Sequence, residues 1–216
     1  MNDIQGVLFD ADGTLIDTYD IILASMRYAV NDVLGCSLDD AELMAGVGTP
    51  LYDQMLHFTG GDAARATEIT LIYRDHNDGV HDARIRAFGD TKAALERFQA
   101  AGIPMGVVTS KRHAMAQRGL EMSGIADHFQ CLIGHDDWPE HKPAPGPILR
   151  GCELLGVAPE CSLYVGDSPF DIQAGNAAGC ATAAALWGMF PREALAAERP
   201  TFMCDSLTEL ADRLGI

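Results

Sequence analysis

The sequence predicts an α/β protein: a three-layer core around a mostly parallel sheet, with a purely helical segment inserted near its start. Three observations carry this expectation. Short apolar runs rich in Val, Ile and Leu recur along the chain, segments of helical periodicity alternate with them, and the alternation is interrupted once, over 15–86. Strands joined by helices require right-handed crossovers, which lay helices on both faces of a parallel sheet.

The runs at 4–9 (IQGVLF), 103–109 (IPMGVVT), 129–134 (FQCLIG), 161–166 (CSLYVG) and 180–187 (CATAAALW) read as buried strands. Parallel strands covered on both faces show continuous apolar stretches of this length in place of strict alternation. Helices are expected over 91–101, where Ala94, Leu95 and Phe98 share a face, and over 114–124, where Met115, Leu120 and Met122 do. Further helices over 145–156, 172–179 and 207–214 complete a Rossmann-like core assigned to 1–14 and 87–216. The interruption, 15–86, has no comparable strand run. It reads as helices over 16–34, 38–45, 50–58 and 63–78, broken at Gly35, Gly46, Gly48, Gly60 and Gly61, and is assigned to an α-helical cap.

With 216 residues, 48% hydrophobic and 21% charged, the chain is large enough for one such core plus an insert. A net charge of −16 opposes binding to nucleic acid or anionic membrane surfaces. No stretch reaches the roughly 18 uninterrupted apolar residues of a membrane helix, and no basic-then-apolar leader opens the chain, so a cytoplasmic protein is expected. The six cysteines lack a C-x-x-C pair and read as reduced, small packing residues. The same negative charge repels a phosphate ester, so a phosphate site here needs a metal ion and a few placed cations.

Asp10-Ala11-Asp12-Gly13-Thr14-Leu15 follows the first strand directly. By average usage D-x-D-G-T begins at about one position in 10⁵ by chance. Two carboxylates just beyond a strand end can face the crevice at the sheet's carboxyl edge, and such crowding calls for a hard cation such as Mg²⁺. Thr109 and Ser110 end the strand GVVT, where a hydroxyl and an adjacent N–H can hold phosphoryl oxygens. Lys142 precedes a proline-stiffened helix start, and Gly166-Asp167-Ser168-Pro169-Phe170-Asp171 adds two more carboxylates after the strand SLYV. Any of these alone also reads as a helix cap, a turn or a solvated charge.

Together, in this order and with a helical insert after the first, the four motifs resemble the haloacid dehalogenase superfamily of phosphohydrolases. The resemblance implies that Asp10 is the nucleophile, forming an aspartyl-phosphate, and that Asp12 is the general acid and base. Thr109 and Lys142 would neutralise the phosphoryl group, with Ser110 beside them. Mg²⁺ would be held by the Asp10 carboxylate, the Asp12 main-chain carbonyl and Asp167, with Asp171 either a ligand or a residue that orients the others. The insert resembles the caps of phosphoglycolate phosphatases, β-phosphoglucomutases, phosphonate-cleaving relatives and a group of bacterial pyrophosphatases. Lysine occurs only at 92, 111 and 142, so the phosphonate branch's cap Schiff base has no amine. The segments 73–77, 136–137 and 187–193 look most like the phosphoglycolate phosphatases and pyrophosphatases.

The loop 46–50, with Gly48 and Thr49, occupies the place where relatives read substrate, and its lack of Arg or Lys weighs against pyrophosphate. Arg27, Arg65 and Arg74 are candidate cap cations that also read as surface charges, and the seven histidines form no metal-like pair. The expected function is Mg²⁺-dependent hydrolysis of a small phosphorylated metabolite by a monomer or homodimer. A pyrophosphatase, a phosphomutase and a catalytically silent binding protein are the alternatives.

Overall fold

The computed structural model describes residues 4–216, Ala83 by its backbone alone; residues 1–3 of the segment assigned to the core lie outside the described residues. The chain runs β1 (Gly6–Phe9), α1 (Tyr19–Met26), α2 (Asp40–Met44), α3 (Leu51–Phe58), α4 (Ala63–Arg84), α5 (Thr91–Ala100), β2 (Met105–Val108) and α6 (His113–Met122). It continues as β3 (Cys131–Ile133), α7 (Gly146–Leu155), β4 (Ser162–Gly166), α8 (Pro169–Ala178), β5 (Ala181–Ala185), α9 (Arg192–Ala197), β6 (Phe202–Cys204) and α10 (Leu207–Leu214). All strand pairs are parallel, in the order β3-β2-β1-β4-β5-β6. The order therefore reverses at β1, and an open parallel sheet binds ligands beyond the carboxyl ends of its strands at such a switch.

Alternation along β1 builds the three layers. Val7 and Phe9 point into one cluster with Leu95 and Phe98 of α5, Leu120 of α6 and Leu210 of α10. Leu8 points the other way, among Ile148 and Cys152 of α7 and Ala174 and Ala178 of α8. Successive Cβ atoms on a strand face opposite sides, so an all-apolar strand must be covered twice. The helices between β1 and α5 bury a separate cluster that includes Met26, Val30, Leu43, Met55 and Ile69.

Several boundaries differ from the sequence reading. The helix expected over 16–34 begins at Tyr19 and turns π-helical over Arg27–Val33. Leu15 and Ile16 instead pack in the core cluster, and Ile16 bridges Ala87, so the two chain crossings run side by side. The helix expected over 63–78 continues to Arg84, and that expected over 172–179 begins at Pro169, where Ser168 and Asp171 form a capping box. Strand β6 and helix α9 have no counterpart in the sequence reading. All six cysteines are free thiols. Among the described residues, no helix is long and apolar enough to cross a membrane.

Helix α8 lies so close to the sheet that a Cβ on Gly175 would sit 2.5 Å from Thr182 Cγ2 and 3.2 Å from Tyr164 Cβ. Thr182 cannot easily swing away, because its hydroxyl bonds Asn176 at 3.0 Å and accepts from Thr201 N at 3.3 Å. Alanine gains about 1 kcal/mol in helix propensity, but overpacking of this kind costs roughly 1–3 kcal/mol. Gly175→Ala is therefore expected to lower the melting temperature by a few degrees. A raised melting temperature in a thermal scan would show that the helix can lift off the sheet.

Candidate active site

Strand ends assemble the site. Asp10 follows β1 directly, its N–H held by Val165 O of β4 at 2.8 Å. Thr109 follows β2 in the same way, its N–H on Ile133 O at 2.9 Å. Asp167 follows β4, and Asp171 sits in the first turn of α8. Asp10, Asp167 and Asp171 are buried, and each brings a carboxylate oxygen within 4.8 Å of the others. Lys142, also buried, stands 3.0 Å from Asp10 Oδ1 and 2.6 Å from Asp171 Oδ1.

Each carboxylate is held differently. Asp171 is fully engaged: Oδ1 accepts from Lys142, and Oδ2 accepts from Ser168 N at 3.0 Å and Ser168 Oγ at 2.5 Å. Tyr164 donates to Val108 O at 2.8 Å and accepts from Lys142 at 3.2 Å, which fixes the ammonium from a second side. Asp167 accepts from Thr14 Oγ1 at 3.1 Å and from Met189 N at 2.8 Å. Asp10 Oδ1 is buried and, although the Lys142 ammonium is 3.0 Å away, has no well-aligned hydrogen-bond partner among the described residues. Glycine lets these groups approach: a Cβ at Gly13, whose φ is +78°, or at Gly188 would collide with Asp167.

Burial raises the Asp10 carboxyl to about 6, with Lys142 opposing and Asp171 and Asp12 assisting the rise. Asp167 is raised well above the usual carboxylate range by burial and by the charges of Asp171 and Asp10. Burial alone would lower Lys142, but Asp10 and Asp171 outweigh it and raise it well above its ordinary value. Two carboxylates that resist ionisation, one of them with an oxygen lacking a hydrogen bond, form a donor set that fits a hard divalent cation.

The remaining sequence candidates sit around this centre. The Asp12 carboxylate stays outside the three-carboxylate group and pairs with Lys111 at 2.9 Å. Lys111 escaped the sequence reading, although it directly follows Thr109 and Ser110. Ser110 Oγ donates to Gly48 O at 2.7 Å, which ties the insert to the core at the mouth of the site. Gly48, with φ +101°, approaches so closely that a Cβ would sit 2.8 Å from Ser168 Oγ. The Thr49 hydroxyl is spent on Gly46 O at 2.7 Å.

A cavity of about 120 Å³ joins Asp10, Asp12, Thr109 and Asp167 to Arg74 on α4 and to Arg112 and His135. Arg27 and Arg65, the other candidate cap cations, are instead paired with Asp40 and Glu68 at 2.6 Å. Cations thus reach the cavity from α4 and from the segment after β2, so their lack in the 46–50 loop does not weigh against a highly charged ligand.

A family model described as haloacid dehalogenase-like hydrolase matches residues 7–185. Over 209 residues the chain is 38% identical to a Clostridium perfringens protein provisionally named pyrophosphatase PpaX, covering 97% of this chain and 96% of that one. It is 34% identical to pyrophosphatase PpaX of Anoxybacillus flavithermus, covering 99% and 98%. Among solved structures, a "predicted phosphoglycolate phosphatase" of Haemophilus somnus superposes with a TM-score of 0.84 at 25% identity, covering 99% of each chain. A haloacid dehalogenase-like hydrolase, so described provisionally, from Bacteroides fragilis does so at 0.89 and 26%, covering 95% and 99%.

The buried carboxylates carry a pH signature. Folded and metal-free, Asp10 takes up a proton near pH 6, against an ordinary value of 3.8, so between these values the folded state holds more protons and loses stability as pH rises. In chelator, Asp10→Asn is expected to match the parent near pH 4 and to exceed it by up to about 3 kcal/mol at pH 7. Urea unfolding at the two pH values measures this. A variant less stable than the parent at pH 7 would mean that Asp10 is not strained in the folded protein.

Proposed function

The chain belongs to the haloacid dehalogenase-like hydrolase family, and from that premise we propose that it is a Mg²⁺-dependent phosphatase that accepts the phosphoryl group of a small metabolite on Asp10. The observation that carries the reading is the trio Asp10, Asp167 and Asp171 at the sheet's switch point, with Lys142 paired to the first and the last. Halide displacement does not need a second acid at position 12 or further carboxylates suited to a metal, whereas phosphoryl transfer needs positioning and charge neutralisation.

Asp10 attacks phosphorus, and the bond to the leaving oxygen breaks as Asp12 protonates that oxygen. Asp12 then takes a proton from a water that attacks the aspartyl-phosphate, releasing phosphate and restoring the Asp10 carboxylate. Asp10, Asp167 and the Asp12 carbonyl would hold Mg²⁺, whose charge offsets that of the transferring group. Lys142 supplies a second fixed charge, and Asp171, whose oxygens are already engaged by Lys142 and Ser168, acts as its positioning residue. Thr109 would hold phosphoryl oxygens through its hydroxyl and Ser110 through its main-chain N–H, since the Ser110 hydroxyl is engaged by Gly48 O. Residues 15–86 act as a cap over the core of 1–14 and 87–216, with Gly48 and Thr49 lining the covered site, so that water is excluded during transfer.

Two substrates are favoured by specific observations. The structural likeness to a protein titled phosphoglycolate phosphatase supports a carboxylated phosphate ester, and the name pyrophosphatase PpaX on the relatives at 38% and 34% identity supports pyrophosphate. Phosphate release measured on both, beside a panel of sugar phosphates, decides between them.

Asp10→Asn should reduce phosphate release by at least about 10⁴-fold while the protein remains folded, since it removes the nucleophile. Parental turnover in that variant would eliminate Asp10 from this role. EDTA should silence the parent and added Mg²⁺ restore it; a rate indifferent to chelation would contradict the task assigned to the carboxylates.

A further inference from the structure

Four basic side chains have no ion pair among the described residues: Arg74, Arg84, Lys92 and Arg199. Arg84, Lys92 and Arg199 are exposed to water. Arg74 is partly buried, lines the cavity above Asp10 and makes no hydrogen bond there. In a chain of net charge −16, an arginine so placed without a carboxylate partner is an exception.

Its surroundings are cationic. Arg112 lines the same wall, bound only loosely to Asp78 at 3.5 Å, and the buried Nδ1 of His135 has no hydrogen-bond partner among the described residues. Arg74 is held below the usual guanidinium range by burial and by the charge of Arg112, with Asp78 and Asp136 offering partial relief from a distance. The phosphoryl group does not need this cation, because Lys142 already stands at Asp10. What remains for Arg74 is the other half of the substrate.

We propose that Arg74 is a specificity-determining residue that binds an anionic group on the leaving half of the substrate, a carboxylate or a second phosphate. This rests on the phosphatase reading and narrows it, because uncharged leaving groups leave Arg74 unmatched. The planar guanidinium suits either anion through paired N–H donors, and the small cavity admits only a short spacer between the anion and the reacting phosphorus.

The test compares the parent, Arg74→Gln and Arg74→Lys on pyrophosphate, phosphoglycolate and a neutral aryl phosphate. Arg74→Gln is expected to lower kcat/KM about tenfold or more on one or both anionic substrates and less than twofold on the aryl phosphate, with Arg74→Lys restoring part of the loss. Loss confined to pyrophosphate identifies a second phosphate as the recognised group, and loss confined to phosphoglycolate identifies a carboxylate. Equal loss on all three substrates, or none on either anion, overturns the proposal. A second arm is independent of turnover: in an Asp10→Asn background, calorimetric affinity for methylenediphosphonate and for glycolate should fall about tenfold for at least one of them when Arg74→Gln is added. Unchanged affinity for both overturns the role of Arg74. A parent inactive on every substrate, with that binding loss intact, overturns only the phosphatase reading.

Discussion

Holding three carboxylates out of water beside a single ammonium is the constraint on which this structure turns. An ionised carboxylate buried without a partner costs several kcal/mol, and Lys142 cannot satisfy Asp10, Asp167 and Asp171 together. The fold resolves this unequally. Asp171 receives Lys142 and both Ser168 donors, whereas Asp10 keeps an oxygen with no hydrogen bond. The unsatisfied group is the one at the end of the central strand, facing the cavity. The result is an incomplete electrostatic balance that a divalent cation is suited to complete.

The sheet makes that balance possible. Because strand order reverses at β1, the chains leaving β1 and β4 diverge and open a crevice between Asp10 and Asp167. Gly13 and Gly188 let two further loops close on Asp167, where a side chain would collide with it. The insert packs closely on this crevice where Gly48 lies on Ser168 and its carbonyl accepts from Ser110. This helical layer has its own apolar cluster, against which Met189 also packs, and two adjacent crossings near Asp17 and Arg86 join it to the sheet.

Legibility in the sequence followed the strength of the local signal. Strands β1, β2 and β4 were visible because burial on both faces leaves little but apolar residues, as in GVLF and MGVV. Strand β6 was not, since Phe202–Cys204 is too short for a period to show. The continuation of helix α4 beyond its expected end was not legible, because its last turns are rich in Asp and His and show little apolar period. In the site, Asp10, Asp12, Thr109, Lys142, Asp167 and Asp171 could be named because they follow strand ends or open helices. Lys111, Tyr164 and Met189 could not, because their contacts with Asp12, Lys142 and Asp167 span distant parts of the chain.

Composition and periodicity alone determined an acidic α/β chain, its helical insert and the carboxylates that gather at the sheet's edge, because each is written in neighbouring residues. Only the tertiary structure decided which carboxylate is fully hydrogen-bonded and which keeps an oxygen without a hydrogen bond. It also decided that Arg74, indistinguishable in the sequence from the paired Arg27 and Arg65, lines the cavity with no ion pair among the described residues. Charge balance depends on which groups come within a few ångströms of one another, and that proximity exists only after the chain has folded.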